Sequence, residues 1–434
     1  MKTDSVNRRS FLGGSLVAGG AVLLSSAHVG ADDAAAEVQP VRVGIMGVSR
    51  GRSLASTFGK QPGVTLKYLC DVDETRVNAA VESVKKELEH QSPTPISDFR
   101  QILDDPEIDV LVCAAPNHWH APATILACNA GKHVYVEKPC SHNPWEGETM
   151  VAAARKHNRC VQMGTQRRSS AAYQEAIRLL QQEQVIGRVY LSRAWYNNLR
   201  PSIGKGNVTD PPAQLNFDLW QGPAPRVPFK DNLLHYNWHW HWDWGNGELG
   251  NNGVHSLDIC RWGLGVDYPT RVTSSGGRYR WEDDQETPDT HTVAYEFEGK
   301  RQITWEGLSC NKHAVDGGFV TFFGEEGTLA LGASGAFKVY DRSDAVVQEH
   351  KAQLDDADHV RNFLTCVREQ TPQKLNAEIE TGHISTMLCH LGNIAQRSGL
   401  ALECDPTNGH ITNAPDTAKY WKRSYANGWE PKVT

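Results

Sequence analysis

The stretch Val134-Tyr135-Val136-Glu137-Lys138-Pro139 runs apolar residues straight into a carboxylate, an amine and a proline. A short β-branched and aromatic run with so sharp a stop reads as a buried strand. In an open parallel sheet, ligands bind beyond the carboxyl ends of the strands, so a lysine fixed there by a following proline is aimed at a ligand. The plain alternative is a solvated lysine at a strand end, the ordinary fate of a lysine. The flanking sequence decides between them.

Upstream, residues 41–47 read as a first buried strand, and Val48-Ser49-Arg50-Gly51-Arg52 as the turn into a helix running to Gly59. A second strand over 64–70 ends in Asp71, and a helix follows from Glu74 to Glu89. A strand over 108–114 then leads to Pro116-Asn117-His118-Trp119-His120, and a helix from Ala121 to Ala130 returns the chain to the opening strand. Strands alternating with helices of this length give right-handed βαβ units and a parallel sheet. The fold class predicted is α/β, with an N-terminal doubly wound Rossmann sheet. The dinucleotide fingerprint G-x-G-x-x-G is met only in part: Gly47 is present, Ser49 replaces the second glycine, and Gly51 comes one place early. Its context carries the reading, because a strand precedes it, a helix follows, and an acid stands about twenty residues on to take both ribose hydroxyls. Asp71 would repel a 2′-phosphate, so NAD is expected rather than NADP, with Arg50 and Arg52 offsetting part of that repulsion.

Downstream come a helix from Trp145 to His157, a strand over 160–163, and Gly164-Thr165-Gln166-Arg167-Arg168. From about Gly187 the texture turns to alternating strands at 189–196, 271–279, 292–297, 302–308, 319–323 and 328–331. Such runs predict a second, α+β domain with a largely antiparallel open sheet. Helices return at 359–369 and 378–397, the latter expected to pack back on the first domain. The predicted organisation is 1–39 export signal and linker, 40–165 NAD-binding Rossmann domain, and 166–434 substrate and oligomerisation domain.

The first forty residues read as an address. Asn7-Arg8-Arg9-Ser10-Phe11-Leu12 is a twin-arginine pattern, followed by a weakly apolar, glycine-rich run and small residues suited to cleavage after Ala27 or Ala31. The expectation is a periplasmic or otherwise exported protein, folded around its cofactor before export. No other stretch approaches the ~18 apolar residues that a membrane span requires, so no span is expected in the mature protein, with an uncleaved signal anchor as the alternative. A net charge of -7 leaves no basic footprint for nucleic acid. Ten cysteines without a C-x-x-C pair suggest neither a zinc cluster nor a disulfide framework.

As a set, the segments 47–52, Cys70-Asp71-Val72-Asp73, Pro116-Asn117-His118-Trp119-His120, Glu137-Lys138-Pro139, Gly164-Thr165-Gln166-Arg167 and Gly253-Val254-His255-Ser256-Leu257-Asp258 resemble the family of glucose-fructose oxidoreductase and inositol dehydrogenase, the Gfo/Idh/MocA group. The resemblance implies an NAD(P)-dependent oxidoreductase acting on CH-OH groups, and a homo-oligomer formed through the second domain's open sheet. It puts Asn117, Glu137 and Gln166 near the nicotinamide or its ribose, Lys138 at the reacting carbinol, and His255 opposite as acid or base. The cofactor-binding candidates are then Gly47, Ser49, Arg50, Gly51, Asp71, Pro116, Asn117, His120, Glu137, Lys138 and Gln166. Arg167, Trp240, His241 and Asp258 are the substrate candidates, and no metal is expected.

Oxidising a carbinol sends a hydride to the nicotinamide and a proton to a base, a task that suits a histidine, while a lysine steadies the developing alkoxide. On a helix beginning near Asn251, that residue, His255, Asp258 and Trp262 would share a face. Many relatives carry aspartate where this chain has Asn251; an amide can orient an imidazole but cannot stabilise its cation, so Asp258 or Asp243 would have to supply the charge, or the chemistry differs. The stretch His235-Tyr236-Asn237-Trp238-His239-Trp240-His241-Trp242-Asp243-Trp244 would, if extended, place aromatics on one face and His, Asn and Asp on the other. It reads as a sugar-stacking platform, as an arm packed on the protein or a neighbouring subunit, or as a metal pair at His239 and His241. The expected function is an exported NAD(P)-dependent oxidoreductase of a sugar or polyol-like carbinol with a tightly held cofactor; the alternative is a redox-neutral NAD-dependent glycosidase of the same fold, and the third is a carbohydrate-binding protein on a vestigial cofactor fold.

Overall fold

The computed structural model of the protein describes residues 38–313 and 319–434; the twin-arginine segment and both cleavage positions lie outside the described residues. The first sheet is built from β1 (Val41–Met46), α1 (Ser49–Gly59), β2 (Val64–Cys70), α2 (Glu74–Glu87), β3 (Thr94–Ile96), α3 (Arg100–Asp104), β4 (Val110–Cys113), α4 (Asn117–Asn129), β5 (His133–Val136), α5 (Pro144–Lys156) and β6 (Val161–Met163). Its order is β3-β2-β1-β4-β5-β6, parallel throughout. Helices cover both faces, so the central strands are apolar without alternation: every residue of β4 and β5 is buried. The strand order reverses between β1 and β4, which opens a crevice at their carboxyl ends.

Local signals explain the helix starts. Asp73 caps α2 by accepting from the Arg76 amide at 3.1 Å, and Asn143 caps α5 by accepting from Glu146. α4 begins at Asn117, four residues before the sequence-based start, and runs through Pro122. Proline removes the amide that the His118 carbonyl would receive within a helix. That carbonyl instead accepts from Arg423 Nη2 at 2.6 Å, a partner supplied from the far end of the chain.

The second half contributes α6 (Ala171–Gln181), β7 (Val189–Leu199), α7 (Phe217–Gln221), α8 (Val254–Leu264), β8 (Arg271–Gly277), β9 (Thr290–Phe297), β10 (Arg301–Leu308), β11 (Cys310–Asn311), β12 (Val320–Gly324), β13 (Gly327–Leu331), β14 (Phe337–Asp341), β15 (Val346–His350), α9 (Ala357–Glu369), α10 (Ile379–Ser398) and β16 (Leu402–Glu403). The strands form a ten-stranded sheet ordered β15-β14-β13-β12-β7-β10-β9-β8-β16, with β11 beside β7. Among the described residues of this sheet, only β7 and β10 pair in parallel. α10 joins the two sheets. Gly382 lets it approach β6, since a Cβ there would stand 2.8 Å from that of Met163, and Tyr295 from β9 donates to the Leu388 carbonyl at 2.9 Å. No described helix is long and apolar enough to cross a membrane.

Two sequence expectations need correction. The stretch 235–244 is not extended: Asn237–Trp240 form a 3-10 turn, and Trp238, Trp240 and Trp244 are buried together with His241. The helix bearing His255 does not start at Asn251. Leu249–Gly253 form a π turn, and regular helix begins at Val254. A π turn re-aims side chains and is common at functional sites. Here Asn251 and His255 line the crevice while Asp258 faces the interior.

Candidate active site

A cleft of about 450 Å³ lies at the carboxyl ends of β1, β2, β4 and β5. At its floor Gly47 takes φ +87°, and a side chain there would stand 2.6 Å from the Ala114 carbonyl oxygen, so only glycine serves. α1 has no side-chain cap and no acid in its first turn, which leaves its N-terminal amides and dipole for an anion. Ser49 occupies the first helical position, its hydroxyl accepting from Arg76 Nη2 at 2.6 Å. Gly51 does not line the cleft; it faces β1, where a Cβ would meet Ile45 at 3.0 Å, so its part is close helix–strand packing. Asp71 accepts from the Val48 amide at 3.0 Å and the Asp73 amide at 3.1 Å. Burial pushes its pKa up, and these two amides oppose the rise. A glycine turn, an uncapped helix N-terminus and an acid at the end of β2 are the features a dinucleotide needs.

Beyond β5, Glu137 accepts from Arg50 Nε at 3.1 Å and from Gln166 Nε2 at 3.4 Å. Arg50 also pairs with Asp356 at 2.7 Å; burial works against its charge, but Glu137 and Asp356 outweigh it and raise its pKa. Lys138 Nζ donates to the Asn251 carbonyl at 2.9 Å and to Asn251 Oδ1 at 3.2 Å. Burial lowers its pKa against the pull of Glu137 and Glu248. His255 lines the same cleft, and its side chain makes no hydrogen bond to another described residue. Burial, reinforced by Arg167, Lys138 and Arg50, holds its pKa well below the usual range, so the imidazole is neutral. His120 sets Nδ1 2.6 Å from the Pro139 carbonyl and Nε2 2.7 Å from that of Ala115, and so ties the ends of β4 and β5 together.

Asn251 therefore serves Lys138, whereas the sequence reading paired it with His255. Neither Asp258 nor Asp243 supplies charge to that histidine. Asp258 is 1% exposed, accepts from Arg168 Nε at 2.9 Å and from Ser385 Oγ at 2.6 Å, and is a structural ion-pair partner. Asp243 lies at the surface. The remaining substrate candidates also sit outside the cleft lining. Arg167 stacks on Phe319 at 4.7 Å and donates to the Tyr173 hydroxyl at 3.2 Å. Trp240 lies under the Arg200 guanidinium at 4.8 Å, and His241 faces Glu286 at 3.7 Å. The structure brings together Gly47, Ser49, Arg50, Asp71, Pro116, Asn117, His120, Glu137, Lys138, Gln166, Asn251 and His255.

Sequence reasoning passes over the roof of this cleft. Leu215, Leu219, Trp220, His235, Tyr236, Trp238 and His239, all from one segment after β7, line it from above, and Arg76 joins them beside Asp71. The segment has its own apolar cluster, centred on Phe217, Trp220, Phe229, Trp238 and Trp244. It is stitched to the first sheet by backbone bonds: Glu74 donates to Gln214 at 3.1 Å, Asn216 to Val72 at 2.9 Å, and His118 to Trp244 at 3.2 Å. The crowd of aromatics at 235–244 was the one visible signal, and among the described residues His235, Tyr236, Trp238 and His239 of it reach the cleft. Burial lowers the His239 pKa to about 3, against the raising effect of the Tyr236 carbonyl.

The sequence profile of an oxidoreductase family, NAD-binding Rossmann fold, matches residues 41–165, and that of the family's C-terminal alpha/beta domain matches residues 201–430. The chain belongs to the Gfo/Idh/MocA oxidoreductase family. Among curated members, a glycosyl hydrolase family 109 protein of Saccharopolyspora erythraea is 36% identical over 131 residues, 29% of this chain and 28% of that one. An alpha-N-acetylgalactosaminidase of Shewanella oneidensis is 33% identical over 137 residues, 30% of this chain and 29% of that one. The chain thus spans under a third of these relatives' length. Among solved structures of the fold, the aldose-aldose oxidoreductase of Caulobacter crescentus superposes with a TM-score of 0.64 at 17% identity, covering 84% of this chain and 100% of that one. Levoglucosan dehydrogenase in complex with NADH and levoglucosan gives 0.63 at 18% identity, with 84% and 99% covered.

Proposed function

We propose that this Gfo/Idh/MocA protein is an exported oxidoreductase that transfers a hydride between a sugar or polyol-like carbinol and a tightly held nicotinamide dinucleotide, NAD in preference to NADP. The observation that carries the reading is Lys138 beyond β5: its Nζ has no carboxylate within ion-pair distance among the described residues, is held by Asn251, and shares the cleft with a neutral His255. When bound, the nicotinamide supplies the hydride acceptor. Gly47, the α1 N-terminus and Asp71 would hold the phosphates and adenosine ribose, and Glu137 with Asn117 and Gln166 the other half. Lys138 lies where the carbinol oxygen must come, and its lowered pKa lets it both steady an alkoxide and exchange a proton with it. His255, neutral and with no side-chain hydrogen bond to another described residue, can take or return a proton on the other side of the substrate.

A second reading, a glycosidase in which a ring hydroxyl is oxidised, the aglycone eliminated, water added to the unsaturated ring and the carbonyl reduced again without net redox change, is favoured by the similarity of a 131–137-residue part of the chain to a glycosyl hydrolase family 109 protein and an alpha-N-acetylgalactosaminidase. One experiment separates the two. The protein is incubated with a panel of sugars and glycosides while nicotinamide absorbance and released aglycone are both followed. Net cofactor reduction supports the dehydrogenase, aglycone without it the glycosidase, and neither signal across the panel refutes both.

A further inference from the structure

We propose that Asn246 is a positioning residue that turns the Asn117 amide so that its carbonyl oxygen faces the cleft, making this corner an acceptor for the carboxamide N–H of a bound nicotinamide. The orientation follows from a chain of forced choices. The His142 backbone carbonyl can only accept, so the Asn246 atom 2.9 Å from it is Nδ2. Asn246 Oδ1 then points at Asn117, and because that oxygen can only accept, Asn117 must give its Nδ2, at 3.1 Å. Asn117 Oδ1 is left over, on a residue that lines the cleft at the start of α4.

Asn246 has no freedom to reverse this. It is buried, its own carbonyl accepts from Asn393 Nδ2 on α10 at 3.0 Å, and Gly250 packs directly on its Cβ. Elements from both halves of the chain therefore fix one amide. β4 opens the second mononucleotide half of a doubly wound sheet, so the atom at its end faces the nicotinamide side. Glu137, an acceptor with two oxygens, suits the ribose diol; a single neutral carbonyl suits an amide N–H.

The inference rests on the proposed dinucleotide-dependent function, and its test keeps the two apart. Protein is unfolded to release its own nucleotide, refolded in an equimolar mixture of NAD and 3-acetylpyridine adenine dinucleotide, whose acetyl group has no N–H, then desalted and heat-denatured, and the released nucleotides are quantified by mass spectrometry. The parent protein retains NAD over the analogue by about tenfold, the size of one neutral hydrogen bond with a carbonyl left unpaired in its absence. Asn246→Leu, which frees the Asn117 amide to reverse, brings the ratio close to one. Asn246→Asp, which still offers Asn117 an acceptor, keeps the preference. Should Asn246→Leu fail to fold, Asn117→Leu, which removes the acceptor, must abolish the preference. Equal retention of the two nucleotides by the parent, or an unchanged ratio in Asn246→Leu or Asn117→Leu, overturns the proposal. A parent protein that retains neither nucleotide overturns the oxidoreductase reading with it.

Discussion

Replacing Asn251 by aspartate puts a carboxylate beside Lys138, and the structure says which group will respond. The amide oxygen of Asn251 lies 3.2 Å from Lys138 Nζ, and His255 makes no bond to it. A unit negative charge at that distance interacts with the ammonium by about 1 kcal/mol at the dielectric of water and about 5 kcal/mol at an effective value near 20. At 1.36 kcal/mol per unit, the Lys138 pKa rises by about one to nearly four units from a starting point that burial has lowered. The sign is fixed: an adjacent anion favours the charged lysine, so the neutral form becomes scarcer at any given pH. The assay needs no substrate. Lys138 lines the cleft, and its rate of modification by a small amine-directed acylating reagent, followed by peptide mass spectrometry across pH, reports the neutral fraction. The labelling midpoint moves up in Asn251→Asp, and with a substrate in hand the acidic limb of kcat/KM moves with it. A midpoint that stays or falls would show that residue 251 does not support Lys138.

Lys138→Ala should lower turnover by about 10²-fold or more while dinucleotide affinity stays near that of the parent, since the lysine faces the carbinol; near-normal turnover removes it from the mechanism. Protein purified from the exported fraction, desalted and heat-denatured should release close to one equivalent of dinucleotide, because the roof from Leu215 to His239 must open before the cofactor leaves; recovery of empty protein with weak, reversible binding contradicts this. Burial lowers the pKa of His133, His291, His359 and His383 to about 4, so between pH 6.5 and 4 the unfolded chain binds protons that the folded chain refuses. The stability these histidines contribute then falls with falling pH, by up to about 1.4 kcal/mol per unit for each, and their contribution is level above pH 7; a Tm that does not change between pH 6.5 and 4 refutes the account.

The first sheet was legible because buried parallel strands leave uninterrupted apolar runs, and β2 and β5 end where Asp71 and Lys138 declare a change of chemistry. β3 and β15 were not read: one is three residues long, and the other is an edge strand exposed along most of its length, without a buried alternating face. In the site, the residues read at strand ends line the cleft; of the roof, the stretch 235–244 was singled out in the sequence, though as an extended arm, while Leu215, Leu219 and Trp220 were not. Their placement depends on Val72, Glu74 and His118 offering backbone partners far away in sequence, which no local pattern records. The π turn offsets Asn251 from the regular helix that carries His255; Asp258, within that same helix, was misassigned because helical spacing alone does not show that it is held inside by Arg168 and Ser385.

The bonds from Glu74 to Gln214 and from Asn216 to Val72 tie the turn that carries Asp71 to the segment above it. Nucleotide preference is therefore not a property of that turn that could be transplanted. A graft taken from an NADP-dependent relative over residues 71–76 alone would meet a roof shaped for another turn and strand backbone groups at about 1–3 kcal/mol each. The exchangeable module is the turn together with residues 214–216, and a designer who swaps one without the other should expect a weaker protein before a new specificity.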